Sequence, residues 1–306
     1  MTTSIPAALA CGPFTTATAA ELGVSRKVLR GSRFVRLFPG VHAVADLELS
    51  GADLVKAAQL AVGPHAAASH ESGLLVWGVD IGTRGSVHLT THRRSPTVVD
   101  GITMHRCLVL GAVADVGGCR VLCPERCLVD AATRRTVTDL VIAGDWLIRL
   151  GHMTYESFFE FVHTFHFDGV VKSRRVAEHL VNGSESPRES LVRMMLVLAG
   201  LPAPACNVSY GDESQIFARL DLSYVEWKVA VEYDGRQHGL DLAQRERDIR
   251  RREAMERLGW TFVVVTAAQL GKPRAIVHRV HQTLRSRGYD GPAPDFRREW
   301  QLSFEK

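Results

Sequence analysis

Three acidic residues in the stretch "RLDLSYVEWKVAVEYDG" (Asp221, Glu232 and Asp234) are spaced so that they can do together what none does alone. Val229, Val231 and Tyr233 alternate with Ala230, Glu232 and Asp234, the period of a half-buried strand. A hairpin turning near Val225 and Glu226 sets Asp221 across from Ala230, on the face of Glu232 and diagonal to it. Asp234 follows two residues further along that face. Like charges crowded in this way repel unless something positive neutralises them, and a hard divalent cation, Mg2+ or Mn2+, does so through oxygen ligands. Such an ion polarises a phosphate and activates water for attack on phosphorus. Glu189 is a fourth acid, on the helix that opens the same region, and reaches the strip if that helix lies over the sheet. The plainer reading is a solvated sheet face, with Asp234-Gly235 serving only as a turn.

Several elements must form to hold these acids. "PRESLVRMMLVLAG" is an amphipathic helix starting at Pro187 and ending at Gly200. Strands follow near 206–210, 216–224 and 227–234, then a charged helix over about 242–258. "WTFVVVT" reads as a continuous apolar strand of the kind buried on both faces, and a last helix spans about 273–287. Helix, three strands, helix, strand, helix packs naturally as an α/β sandwich.

The pieces "SPRES", "GLPAP", "RLDLSY", "VAVEYDGRQH", "RDIRRREAMERLGW" and "VVVT" resemble the PD-(D/E)XK nuclease superfamily, and more closely its small Vsr-like endonuclease-domain family. The likeness covers about residues 184–288. It implies an αβββαβ restriction-endonuclease-like core in which Glu189 is the helix acid and Asp221 and Glu232 are the metal ligands. Asp234 and His238 belong to the family's E-x-D-G-x-x-H pattern, and Asp248 and Arg251 match its D-x-x-R step. The lysine usual in the superfamily, two residues after the strand acid, is Asp234 here, so His238 or Arg236 takes part of its role. Read without the likeness, Asp248 and Arg251 are equally an exposed ion pair at i,i+3.

A second source of chemistry is basic. Between Gly23 and His42 the chain carries Arg26, Lys27, Arg30, Arg33 and Arg36 and no acid. "TTATAAELGVSRKVLRGS" reads as helix, turn at Gly23-Val24, and second helix capped by Ser25; "RFVRLFPGVHAV" reads as a hairpin around Pro39-Gly40. Together they describe a winged helix-turn-helix, with Arg26, Lys27 and Arg30 facing the groove and phosphates and Arg33 and Arg36 the flanking backbone. This segment resembles the N-terminal winged-helix domain of AbiEi-type antitoxins, and the region after it resembles the middle part of AbiEi-like proteins. The likeness implies double-stranded DNA as partner and a possible cognate toxin. It also carries a rival reading, a non-enzymatic antitoxin and autorepressor whose C-terminal fold is inactive.

The middle region offers helices in "ADLVKAAQLAV" and "AAASHESGLLVWGV", strands in "GSVHLTTH" and "GITMHRCLVL", and a helix starting in "CPERCLVDAA". His65, His70, His88, His92, His105, His163 and His166 fall here without a ligand motif and read as surface or satisfied core histidines. Cys119, Cys123 and Cys127 lack a CxxC pair and read as reduced, packed thiols.

The 306 residues, 46% hydrophobic and 23% charged, suit an α+β multidomain protein. The expected divisions are a winged helix over 1–48, an α/β middle region over 49–183, the nuclease-like domain over 184–290 and a tail over 291–306. A net charge of +4 permits an anionic partner. With no membrane-length apolar run and no basic signal-peptide start, a cytoplasmic, membrane-free location is expected.

Overall fold

The computed structural model describes residues 4–82, 85–94, 98–211, 216–235 and 242–305. Contacts divide the chain into two units, residues 1–135 with 152–174, and residues 136–151 with 175–306. Both mix helices and sheets, and no helix among the described residues is long and apolar enough to cross a membrane.

The first unit opens with β1 (Phe14–Thr15), α1 (Thr16–Glu21), α2 (Arg26–Leu29), β2 (Phe34–Phe38) and β3 (Val41–Val44). The Thr15 side chain caps α1 by accepting from the Thr18 N–H at 3.1 Å, and Ser25 caps α2 by accepting from Val28 N–H at 3.4 Å. Between them Gly23, at φ +78°, takes a left-handed turn that side chains disfavour, and Val24 N–H returns to Ala19 O at 2.8 Å. The strands form an antiparallel sheet in the order β1-β3-β2. Leu9, Phe14, Ala19, Val24, Leu29 and Phe34 make a small core beneath it.

The unit continues with α3 (Gly51–Val62), β4 (Ala66–Ala68), α4 (His70–Val76), β5 (Val87–Thr91), β6 (Ile102–Arg106), β7 (Val113–Val116), β8 (Cys119–Leu122) and α5 (Pro124–Ala131). These strands form a mixed sheet ordered β6-β5-β4-β8-β7, in which β5 and β6 run parallel with Thr90 opposite His105. Next in the chain come α6 (Val137–Arg149), which belongs to the second unit, then α7 (Tyr155–Thr164) and α8 (Val170–Ala177). All six cysteines are free; Cys119 and Cys127 are buried, and burial pushes the Cys123 thiol up to about 11.

The second unit adds α9 (Pro187–Leu198), β9 (Ala205–Gly211), β10 (Ile216–Tyr224), β11 (Val229–Asp234), α10 (Leu242–Arg257), β12 (Thr261–Thr266), α11 (Pro273–Ser286) and α12 (Arg298–Phe304). Its sheet is ordered β12-β11-β10-β9, with β10 antiparallel to both neighbours and β12 parallel to β11. Val192, Met195 and Leu196 of α9 and Ile276, Val277 and Val280 of α11 cluster with Leu222, Val229, Val231 and Val263. A smaller cluster joins Met255 of α10 and Trp260 to Ala218, Leu220 and Ala230.

Three features depart from the sequence reading. β12 is an edge strand, so Val263 and Val265 are buried while Phe262 and Val264 are only partly so. The division expected at residue 183 is replaced by an interleaving, because Asp145 on α6 is anchored inside the second unit. Its carboxylate accepts from Ser190 Oγ (2.6 Å), Arg193 Nη2 (2.8 Å) and Val181 N–H (3.0 Å). Residues 291–306 are no detached tail: Trp300 is 0% exposed, its Nε1–H donates to Met195 O at 2.9 Å, and Asp295 N–H donates to Ala199 O at 2.9 Å.

Candidate functional site

A four-residue loop, Val225 to Lys228, joins β10 to β11 and pairs Tyr224 with Val229, Ser223 with Ala230 and Leu222 with Val231. Ala230 therefore faces Ser223 and not Asp221, and one further step of this register sets Asp221 opposite Glu232. The turn centre lies one residue later than the sequence suggests, with Lys228 at φ +49° taking a left-handed position that no Gly or Asn announces.

Asp221 Oδ2 accepts the Tyr233 N–H at 3.0 Å. Burial first, and then the Glu189 charge, push the Asp221 carboxyl up to about 6; Glu232 adds to this, while the Tyr233 N–H and Arg251 oppose it. Glu232 is 6% exposed, and its two oxygens are clasped by α10: Oε1 accepts from Arg251 Nη2 at 3.3 Å and Oε2 from Arg252 Nη2 at 3.2 Å. Glu189 sits in the first turn of α9, whose N-terminus Ser186 caps at 3.2 Å. Its Oε2 accepts from Glu185 N–H (3.0 Å) and Asn207 Nδ2 (2.9 Å), so it acts on Asp221 through its charge. Asp234 ends β11 exposed. His238, Arg236 and the Asp248 side chain lie outside the described residues.

The basic cluster is on the surface. Arg26 and Lys27 are exposed on α2, Arg30 caps its C-terminus, and Arg36 is exposed on β2 with its Nε donating to Phe38 O at 3.4 Å. Arg33 is partly buried, its guanidinium 6.0 Å from the Phe34 ring centroid.

Among the described residues, the set of three His, Cys, Asp or Glu side chains whose ligand atoms lie within 4.8 Å of one another is neither of these groups but His70, His88 and His105. His70 opens α4 at φ +52°, a region that residues with a Cβ rarely adopt. Its Nδ1 lies 2.9 Å from Ser69 Oγ, which accepts from Thr90 Oγ1 at 2.7 Å. His88 Nδ1 is 2.8 Å from His105 Nε2, and the His70 ring stacks on His105 at 3.8 Å between centroids. His88 Nε2 and Glu71 Oε2 are buried and take no hydrogen bond, while Glu71 Oε1 holds Arg135 at 2.7 Å and Arg134 at 3.7 Å. Burial, reinforced by the other two rings, pushes His70 down to about 2; burial likewise brings His105 to about 4 and lowers His88, an effect the Glu71 charge partly offsets. Read singly, these histidines are the core residues the sequence suggests. Their meeting depends on the β5–β6 register, and the one sequence signal is that His88 and His105 each sit inside a short strand.

No protein-family model matches the chain. It is similar to two proteins of Mycobacterium tuberculosis, the uncharacterized protein Rv2248 of strain H37Rv and the uncharacterized protein MT2308 of strain CDC 1551. Each is 23% identical over 240 residues, which span 78% of this chain and 87% of the relative.

Proposed function

We propose that this is a cytoplasmic DNA-interacting protein in which an N-terminal winged helix docks on duplex DNA and a Vsr-like, PD-(D/E)XK-type unit hydrolyses phosphodiester bonds with Mg2+ or Mn2+. One observation carries the reading. Asp221 and Glu232 lie one step beyond the Leu222–Val231 pair on adjacent antiparallel strands, beside a parallel third, with the Glu189 charge acting on Asp221. The donor set is all oxygen, and the raised, half-buried Asp221 carboxyl beside the Glu189 charge is what a hard divalent cation relieves. Asp221 and Glu232 would hold it, with Glu189 adding negative charge nearby.

When bound, such an ion polarises the phosphodiester and makes water a competent nucleophile. The chain's own groups do the rest. Arg251 and Arg252 clasp Glu232, and guanidinium forks of this kind would also bind a phosphate entering the strip. With Asp234 at the usual lysine position, proton transfer falls to His238.

The clasp on Glu232 favours a second reading, in which the acid is an ion-pair hub and the chain is an AbiEi-like antitoxin and autorepressor with a cognate toxin. One assay separates the two. The purified protein is incubated with labelled single- and double-stranded DNA, with Mg2+, Mn2+ or a chelator. Cleavage that needs the ion supports the hydrolase, and a mobility shift without cleavage supports the repressor.

Docking has its own test. Arg26→Ala with Arg30→Ala is expected to lower the slope of log affinity against log salt for duplex DNA by about 2, since each phosphate contact contributes about 0.9. Fluorescence anisotropy across a salt series reads this directly. An unchanged slope would move the docking surface elsewhere.

A further inference from the structure

We propose that His70, His88 and His105 form a binding site for a borderline transition-metal ion of the Zn2+ class, distinct from the carboxylate strip of the second unit. Three elements supply one ring nitrogen each: the first residue of α4, the second of β5 and the penultimate residue of β6. Imidazole nitrogen is a ligand for such ions, and three of them leave a fourth position for water or another donor.

Several details fit a metal better than a packed histidine cluster. His70 Nδ1 is engaged by Ser69 Oγ, itself bound by Thr90, so the ring is oriented with Nε2 left for a ligand role. His88 Nδ1 and His105 Nε2 share a hydrogen bond at 2.8 Å, and an ion would take the place of the proton between them. Ligand nitrogens on a tetrahedral ion at about 2.0–2.1 Å stand about 3.3 Å apart, so opening the pair by about half an ångström admits it. The His70 backbone is held in the left-handed region while its side chain is buried against the other two rings, and local strain of this kind collects at ligand clamps. His105 is half-buried on the edge strand of its sheet, which gives an ion a way in.

The surrounding charges decide which ion. Arg134 and Arg135 lie close by and Glu71 is engaged with both. A hard ion held by charge alone, such as Mg2+ or Ca2+, gains nothing there. An ion bound through imidazole donor bonds does.

The test uses the full chain, purified without a polyhistidine tag and stripped with a chelator. Calorimetric titration with Zn2+ is expected to give one ion per chain at about 1 μM or tighter, unaffected by excess Mg2+. X-ray absorption of the Zn2+-loaded protein should show three imidazole nitrogens at about 2.0–2.1 Å. His105→Asn, at the half-buried edge, should weaken Zn2+ at least about a hundredfold, whereas Asp221→Asn should leave stoichiometry and affinity unchanged. If the stripped protein binds Zn2+ no tighter than about 1 mM, if the bound ion lacks imidazole neighbours, or if Asp221→Asn and not His105→Asn abolishes binding, the site is wrong. Should His105→Asn misfold, the absorption spectrum of the native sequence decides alone. None of these outcomes depends on whether DNA is cleaved.

Discussion

On the proposed hydrolase reading, Asp221→Asn is expected to slow metal-dependent cleavage about a thousandfold and, in the metal-free protein, to raise stability at pH 7. The two effects have one origin. As a ligand, the carboxylate would contribute to holding an ion whose stabilisation of the transition state would be worth several kcal/mol. At about 1.4 kcal/mol per tenfold, losing ~4 kcal/mol slows cleavage about a thousandfold. Without the ion, burial first and then the Glu189 charge, with Glu232 adding, lift the same carboxyl from 3.8 to about 6. The folded state then binds the proton more tightly than the unfolded chain, so stability falls as pH rises from about 4 to about 6, and the penalty is complete above that window. A shift of this size corresponds to about 3 kcal/mol at most. Asparagine carries no charge and keeps an oxygen for the Tyr233 N–H, so the variant should match the native protein near pH 4 and exceed it by about 1–3 kcal/mol at pH 7. Denaturant melts with chelator at pH 4, 5, 6 and 7 measure this. A variant less stable at pH 7 would make Asp221 a structural acceptor and remove the case for an ion there.

The second large effect lies at the C-terminus. Trp300→Ala should destabilise the second unit by about 3–5 kcal/mol, the usual cost of emptying a fully buried aromatic site, and it also strips Met195 O of its indole donor. Phe296 packs edge-on and Phe304 at a tilt against the same ring, at 4.5 and 5.1 Å between centroids, so the loss spreads to α12. Ending the chain at residue 290 removes all three rings and the Asp295 tie to α9, and should leave that unit without a cooperative transition, given typical stabilities of about 5–15 kcal/mol. Far-UV circular dichroism during urea unfolding reports both changes. A truncated chain with an unaltered midpoint would show that α12 only decorates the fold.

Legibility in the sequence followed the range of the interaction concerned. α9 announced itself through Pro187 at its start and its apolar spacing, which are local signals; alternation marked β11 as a strand but as a half-buried one, whereas between β12 and β10 it is buried from Val229 to Glu232. The β10–β11 register was harder. Moving a turn centre by one residue shifts the pairing by two and keeps every side chain on its face, so hydrophobic patterning cannot distinguish the alternatives, and only Lys228 at positive φ fixes the outcome. The histidine cluster was illegible for the same reason one level up: it needs a parallel pairing between β5 and β6 together with the start of α4. Trp300 gave no cue either, since one tryptophan among polar neighbours has no periodicity.

The chain crosses between its two units three times, after residues 135, 151 and 174, and Asp145 meets Arg193 across 48 positions of sequence with both side chains at least 96% covered. A gene break at residue 184 would leave the Arg193 guanidinium in the interior with no counter-charge, a fault that typically costs about 3–5 kcal/mol. The second unit is therefore not a cassette that recombination can lift out whole. Its inheritance is tied to the α6 segment upstream, and swaps between lineages should keep the two together.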